Sequence, residues 1–243
     1  MIALATGRCD AWGVVAVTVL LLVGCDERSQ PVPIPSSRPA RVVGDVESDA
    51  VTFTGRIYPQ RYNRLTDRSK GHHAIVWQYG TAAPKALIEA DEPDVDIQER
   101  LEKNVGLVPG NNLQAEAWTR VRDRNHPEPD RKVAGPELSV SVSWAGLDEP
   151  IPLHELFINT QPTDVRIRFG GHLEFTSLWK SGCVVCLFSC PGGRTSNAAY
   201  TLREQVFGQR SFVADESRLP PDGTAVEVTL TPIDASTTSL PGS

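Results

Sequence analysis

Lys180-Ser181-Gly182-Cys183-Val184-Val185-Cys186-Leu187-Phe188-Ser189-Cys190-Pro191-Gly192-Gly193 places three of the chain's five cysteines within eight residues and closes them with Pro-Gly-Gly. The run from Gly182 to Phe188 is rich in β-branched and apolar residues and reads as a buried strand. Strand neighbours alternate in direction, so the odd spacing of Cys183 and Cys186 would send their side chains to opposite faces.

Working outward, Thr195 or Ser196 is a candidate cap for a helix carrying Ala199, Leu202 and Val206 on one face and ending at Gly208. On the other side, Val165, Ile167 and Phe169 alternate with Arg166 and Arg168 before Gly170-Gly171 turns the chain. Leu138, Val140, Val142 and Trp144 alternate with serines, and Val51, Phe53, Gly55 and Ile57 with polar residues, as half-buried strands do. Gly71 to Trp77 and Lys85 to Glu89 read as two strands around a turn, with a charged loop before them. A helix is expected from Asp94, with Ile97, Leu101 and Val105 on one face and Gly106 as its stop, and a final strand over Ala225 to Leu230. Short connections between strands favour antiparallel pairing. The expected fold class is therefore α+β: a single domain with a mostly antiparallel sheet and about two helices.

The N-terminus has a different character. Arg8 precedes a fourteen-residue uncharged run from Ala11 to Gly24, shorter than the roughly 20 apolar residues that span a bilayer but of signal-peptide length. Leu22-Val23-Gly24-Cys25 resembles the bacterial lipobox, in which the cysteine is acylated and becomes the first residue of the mature chain. The expected division is a lipoprotein signal peptide over 1–24, a flexible Pro/Ser-rich tether over 25–49, the domain over 50–232 and a loose tail over 233–243. Cys25 is the expected lipidation site, and the expected location is the extracytoplasmic face of a bacterial membrane. Asp26 resembles the signal that retains lipoproteins in the inner membrane of enteric-type bacteria. With a net charge of −6 and no Lys/Arg stripe, the chain lacks the electrostatic footprint of a nucleic-acid binder.

After processing, Cys183, Cys186 and Cys190 are the cysteines left, in a compartment that permits disulfides. An odd number leaves at least one thiol unpaired, on a metal or joined to another molecule. Cys183-x2-Cys186-x3-Cys190-Pro191 overlaps the end of the ferredoxin run C-x2-C-x2-C-x3-C-P, but Lys180 stands where the first cysteine belongs. An iron–sulfur cluster would then need another ligand. Thiolates equally suit copper or zinc; copper(I) accepts two or three sulfurs, whereas zinc needs a fourth donor. His172, beside the Gly170-Gly171 turn, is the expected fourth ligand. His72 and His73 are adjacent, and alternation on a strand would let at most one of them join a site. Other readings of the cysteines are a thiol–disulfide pair with a resolving thiol, and a structural disulfide stapling a loop.

Gly192, Gly193, Arg194 and Ser196 also suggest an anion site, with backbone amides and an arginine ahead of a helix start. No Gly-x-Ser-x-Gly, His-Glu-x-x-His or paired-carboxylate pattern supports a hydrolase or a transferase.

Gly71-His-His-Ala-Ile-Val-Trp77, Pro109-Gly-Asn-Asn-Leu113, Glu137-Leu-Ser-Val-Ser-Val-Ser-Trp144, Arg168-Phe-Gly-Gly-His172 and the Ser181 to Gly193 stretch together resemble the YdjY-like family. These are bacterial proteins, often lipoproteins, of unassigned activity, sometimes described as ferredoxin-like. The resemblance covers about residues 50 to 232 and implies one exported domain whose Cys183, Cys186 and Cys190 correspond to the family's cysteines. The expected role is a membrane-anchored accessory in metal binding or redox chemistry, beside an envelope redox or maturation partner. The alternatives are a noncatalytic envelope interaction protein, a thiol–disulfide oxidoreductase and an iron–sulfur electron carrier.

Overall fold

The computed structural model describes residues 49–69, 71–113, 131–208 and 210–233. The expected signal peptide, Cys25, Asp26, nearly all of the tether and most of the tail lie outside the described residues. No helix among the described residues is long and apolar enough to cross a membrane.

Strand β1 (Val51–Ile57) is followed by helix α1 (Pro59–Ser69), strand β2 (His73–Trp77), a 3-10 turn (Ala83–Lys85), β3 (Ile88–Ala90) and α2 (Asp94–Lys103). Then come β4 (Glu137–Trp144), the short β5 (Ile151–Pro152), two 3-10 turns, and β6 (Ile167–Phe169). Helix α3 (Leu173–Trp179), β7 (Cys183–Cys186), β8 (Gly193–Asn197), α4 (Leu202–Val206) and β9 (Thr224–Pro232) complete the order.

The sheet closes on itself. The strands run β4-β6-β8-β7-β2-β3-β1-β9, and β9 pairs back onto β4, giving an eight-strand barrel with β5 laid against the free stretch of β4. Closure comes from β9, which pairs antiparallel with β1 over Val51–Ile57 on one side and with β4 over Leu138–Trp144 on the other. The expected α+β domain with a mostly antiparallel sheet and about two helices is thus corrected to a mixed β-barrel with four short α-helices among the described residues. Alternating burial reports which face of a strand is covered, but not whether the sheet's outer strands meet each other.

Two of the barrel's pairings, β2 with β3 and β7 with β8, are parallel. Residues 78–87 and 187–192 carry the chain back to start the next strand in the same direction, so these connections mimic hairpins in the sequence. The two parallel pairs lie side by side, joined by antiparallel pairing of β2 with β7. All four residues of β7 and all five of β8 are buried, so this wall is covered on both faces, whereas β1 alternates buried and exposed. Tyr62 of α1 is fully buried, and Phe169, Phe188 and Phe212 fill the core. Each such ring contributes about 2 to 3 kcal/mol by leaving water.

Two helices differ from expectation. The charged segment after β1 is α1, whose Gln60 and Arg61 amides donate to the Asp222 carboxylate. The helix expected from Thr195 or Ser196 starts only at Leu202, where Thr201 and Glu204 form a capping box. Residues Gly193–Asn197 form a strand instead, because β8 completes pairing with both β7 and β6.

Candidate metal centre

The site lies where β2 and β7 pair. Their register runs His73 opposite Cys186, Ile75 opposite Val185 and Val76 opposite Cys183. Between the first two pairs β2 spends one extra residue, and between the last two β7 spends one, so each strand carries a bulge. The bulge in β7 changes the cysteine geometry: Cys183 and Cys186, expected on opposite faces, lie near enough for the Cys183 sulfur to act on the Cys186 thiol. The Cys190 side chain acts on Cys186 as well, so Cys186 is the thiol that both of the others influence. All three remain thiols, without a disulfide among the described residues.

The histidines come from the start of β2. His73 Nδ1 lies 3.4 Å from Cys183 Sγ. The His72 and His73 rings stack at 3.8 Å between centroids, tilted by 42°. A ligating atom of His72, one of His73 and the Cys186 sulfur all lie within 4.8 Å of one another, a group that could hold a metal ion. Strand alternation would have separated the two imidazoles, but β2 begins only at His73 and bulges immediately after it.

The backbone around these side chains is fixed from several directions. Leu187 N–H donates to the His72 carbonyl at 2.7 Å and Leu87 N–H to the His73 carbonyl at 3.2 Å. Tyr62 donates its hydroxyl to the Gly71 carbonyl at 2.9 Å, tying α1 to the residue before the histidines. Burial, and then the nearby Cys186 sulfur, push the Tyr62 phenol above its ordinary range, so it stays a donor. At the far end of the pairing, Gly182 gives its carbonyl to Trp77 N–H at 2.8 Å.

Electrostatics at the site favour neutral groups in the absence of a cation. Burial pushes the Cys186 thiol well up, and its contact with Cys183 adds to that. Burial holds His73 well below the ordinary histidine range, with His72 and Lys85 acting in the same direction. A neutral imidazole is ready to ligate, and a thiol pushed up by burial loses its proton to solvent as its sulfur forms a coordinate bond to a metal.

His172, the expected fourth ligand, is not brought to this cluster. It precedes α3, is 1% exposed, and accepts the Leu113 N–H on Nε2 at 3.1 Å. That bond places the ring proton on Nδ1, which is buried with no hydrogen-bond partner. Burial lowers the His172 pKa to about 4. Its role in the structure is to secure Leu113.

The stretch expected to receive an anion is also committed elsewhere. Arg194 is 2% exposed and donates from Nε to Asp94 at 2.6 Å and from Nη1 to Gln98 Oε1 at 2.7 Å. Ser196 donates its hydroxyl to the Cys190 carbonyl and Ser181 donates its hydroxyl to the Gly192 carbonyl, both buried. Gly193 lies in the same buried strand, where an added Cβ would meet Cys186 Cβ at 3.1 Å. These residues brace the cysteine stretch from behind.

A YdjY domain matches residues 42–231. The chain belongs to the YdjY family. It is 31% identical over 215 residues to the uncharacterized protein YdjY of Escherichia coli K12, covering 86% of this chain and 88% of that relative. No solved structure matches the chain significantly. Family membership therefore supplies relatives rather than a reaction, and the chemistry has to be argued from the cluster.

Proposed function

We propose that this YdjY-family chain is a membrane-anchored, extracytoplasmic metal-binding module holding one thiophilic d10 cation, zinc(II) or copper(I), on Cys183, Cys186, Cys190 and His73. The observation that carries the reading is the grouping of His72, His73 and Cys186 within 4.8 Å, with Cys183 Sγ 3.4 Å from His73 and the Cys183 and Cys190 side chains acting on Cys186. Three thiolates and one imidazole are a complete zinc donor set and also suit copper(I). Sulfurs bound to one zinc at 2.3 Å stand about 3.8 Å apart, and His73 meets Cys183 at 3.4 Å and Cys186 within 4.8 Å. A four-iron cluster needs room for its own iron and sulfide atoms between the thiolates, which fits this close grouping poorly. Thiol exchange fits less well too, because all three thiols are buried and burial pushes that of Cys186 up, which makes it a weak nucleophile.

Anchoring is supported by the uncharged run that ends at Leu22-Val23-Gly24-Cys25. Acyl chains at Cys25 add about 0.8 kcal/mol per buried methylene, enough with several chains for stable attachment. In this reading the barrel works at the outer face of a bacterial membrane, in an accessory role beside an envelope metal or redox protein.

The test is elemental analysis with thiol counting on the full chain, purified anaerobically in detergent. The proposal expects about one zinc or copper per chain and three protected thiols besides the modified Cys25. Iron with sulfide would replace it by the electron-carrier reading. One stable disulfide without metal would replace it by the structural reading.

A further inference from the structure

The five donors are not equivalent in access. Cys183, Cys186 and Cys190 are 1%, 0% and 5% exposed. His72 and His73 are both partly exposed as residues, but in the donor group His72 is the intermediate member and His73 and Cys186 the buried ones, with the two rings 3.8 Å apart. If Cys183, Cys186, Cys190 and His73 hold the ion, His72 is a fifth donor at the solvent side. It is within 4.8 Å of two of those ligands without being needed to complete four-coordination. A buried thiophilic site needs an entry path, because a cation cannot drop all of its ligands before it gains new ones. Expansion from four to five ligands is an accessible step for zinc. A donor placed at the mouth, within reach of both His73 and Cys186, meets that need.

We propose that His72 is the exchange ligand of this site: it takes a zinc(II) or copper(I) ion from a donor with soft ligands and passes it to His73, Cys183, Cys186 and Cys190, and it works in reverse for release. The inference rests on the metal-binding reading above. The step is ligand substitution. A bond from the ion to the outside donor breaks as one forms to a His72 ring nitrogen. The His72 bond then breaks as the sulfur bonds form, and the thiol protons leave to solvent. The oxidation state of the ion does not change. The partner is accordingly a metal-carrying molecule with thiolate, thioether or imidazole ligands rather than a hydrated ion alone.

The test uses the full chain in detergent, loaded with zinc(II) or, separately, with copper(I). His72→Phe keeps an aromatic ring against His73 and removes the donor, while His72→Cys restores a donor of different shape. Dissociation constants come from competition with a chromophoric chelator, and transfer rates from rapid mixing with excess chelator. Stoichiometry should be kept in His72→Phe, while loading and release both slow at least tenfold, beyond what any change in Kd accounts for, with rates recovered in His72→Cys. Unchanged rates in His72→Phe overturn the proposal. So does a loss of affinity that fully accounts for faster release, since His72 would then be a storage ligand. If the unaltered chain binds neither ion, it is the site reading itself that has failed.

Discussion

His73 and Cys183, 110 residues apart in the chain, meet Nδ1 to Sγ at 3.4 Å across the antiparallel junction of two parallel strand pairs. This contact joins the two histidines to the three cysteines. It depends on both bulges, because regular pairing would rotate one member of each strand away.

Cys186 is the thiol that both of the others influence, so its loss should cost the most. Cys186→Ser is expected to weaken zinc(II) or copper(I) binding by more than about 100-fold, since even the outer partners of metal ligands are worth 10- to 100-fold. His172→Gln should leave affinity within about threefold. Chelator competition on both variants checks this, and a large loss in His172→Gln would return that histidine to the ligand set.

The pH dependence of stability follows from His172. Its folded pKa, about 4, lies below the ordinary value of 6.5, so the unfolded chain takes up a proton that the folded chain refuses. The stability tied to its neutral form is fully present above pH 6.5 and is lost as pH falls toward 4, by roughly 3 kcal/mol in all. Urea unfolding of metal-free protein at pH 7 and pH 4.5 should show the loss, and His172→Asn should reduce it. An equal pH slope in both proteins would contradict the assignment.

Arg194 and Asp94 form an ion pair whose side chains are 3% and 8% exposed. Arg194→Met strands the Asp94 carboxylate in the core and should cost about 3 to 5 kcal/mol, whereas replacing both partners with apolar residues should cost less. Unfolding midpoints of the single and double variants decide it. Phosphate should not raise the melting temperature of the unaltered chain, because the guanidinium is already occupied.

Gly182 has φ +69°, and a Cβ there would stand 2.7 Å from Gly80 Cα. Gly182→Ala combines a left-handed backbone with a backbone clash and should cost roughly 2 kcal/mol or more. Because Gly182 also supplies the carbonyl bonded by Trp77, the variant should loosen the β2–β7 junction. Faster hydrogen exchange at Trp77 N–H would show this.

Much of the local structure was legible in the residues. The alternation in Val51–Ile57 and Leu138–Trp144 gives β1 and β4, the spacing of Ile97 and Leu101 gives α2, and the apolar run after Gly182 gives the buried β7. The three cysteines were legible as a site because they cluster in sequence. Closure of the barrel was not, since it rests on β9 pairing with strands whose sequences carry no mark of their neighbours. The two histidines of the cluster were hidden for a different reason. Alternation argued that His72 and His73 diverge and that Cys183 and Cys186 do too, and a bulge in each strand cancels that argument locally. A pair of adjacent histidines at the very start of a strand, after Gly71, was the signal available. His172 drew attention by its nearness in sequence to Cys183, but Leu113 holds its ring elsewhere.

X-ray absorption at the metal edge of the loaded full chain tests the central claim most directly. The account predicts a first shell of three sulfurs and one nitrogen around a single zinc or copper, with the nitrogen lost in His73→Ala and kept in His172→Gln. A shell without sulfur, iron–iron scattering, or a nitrogen lost only in His172→Gln would contradict it.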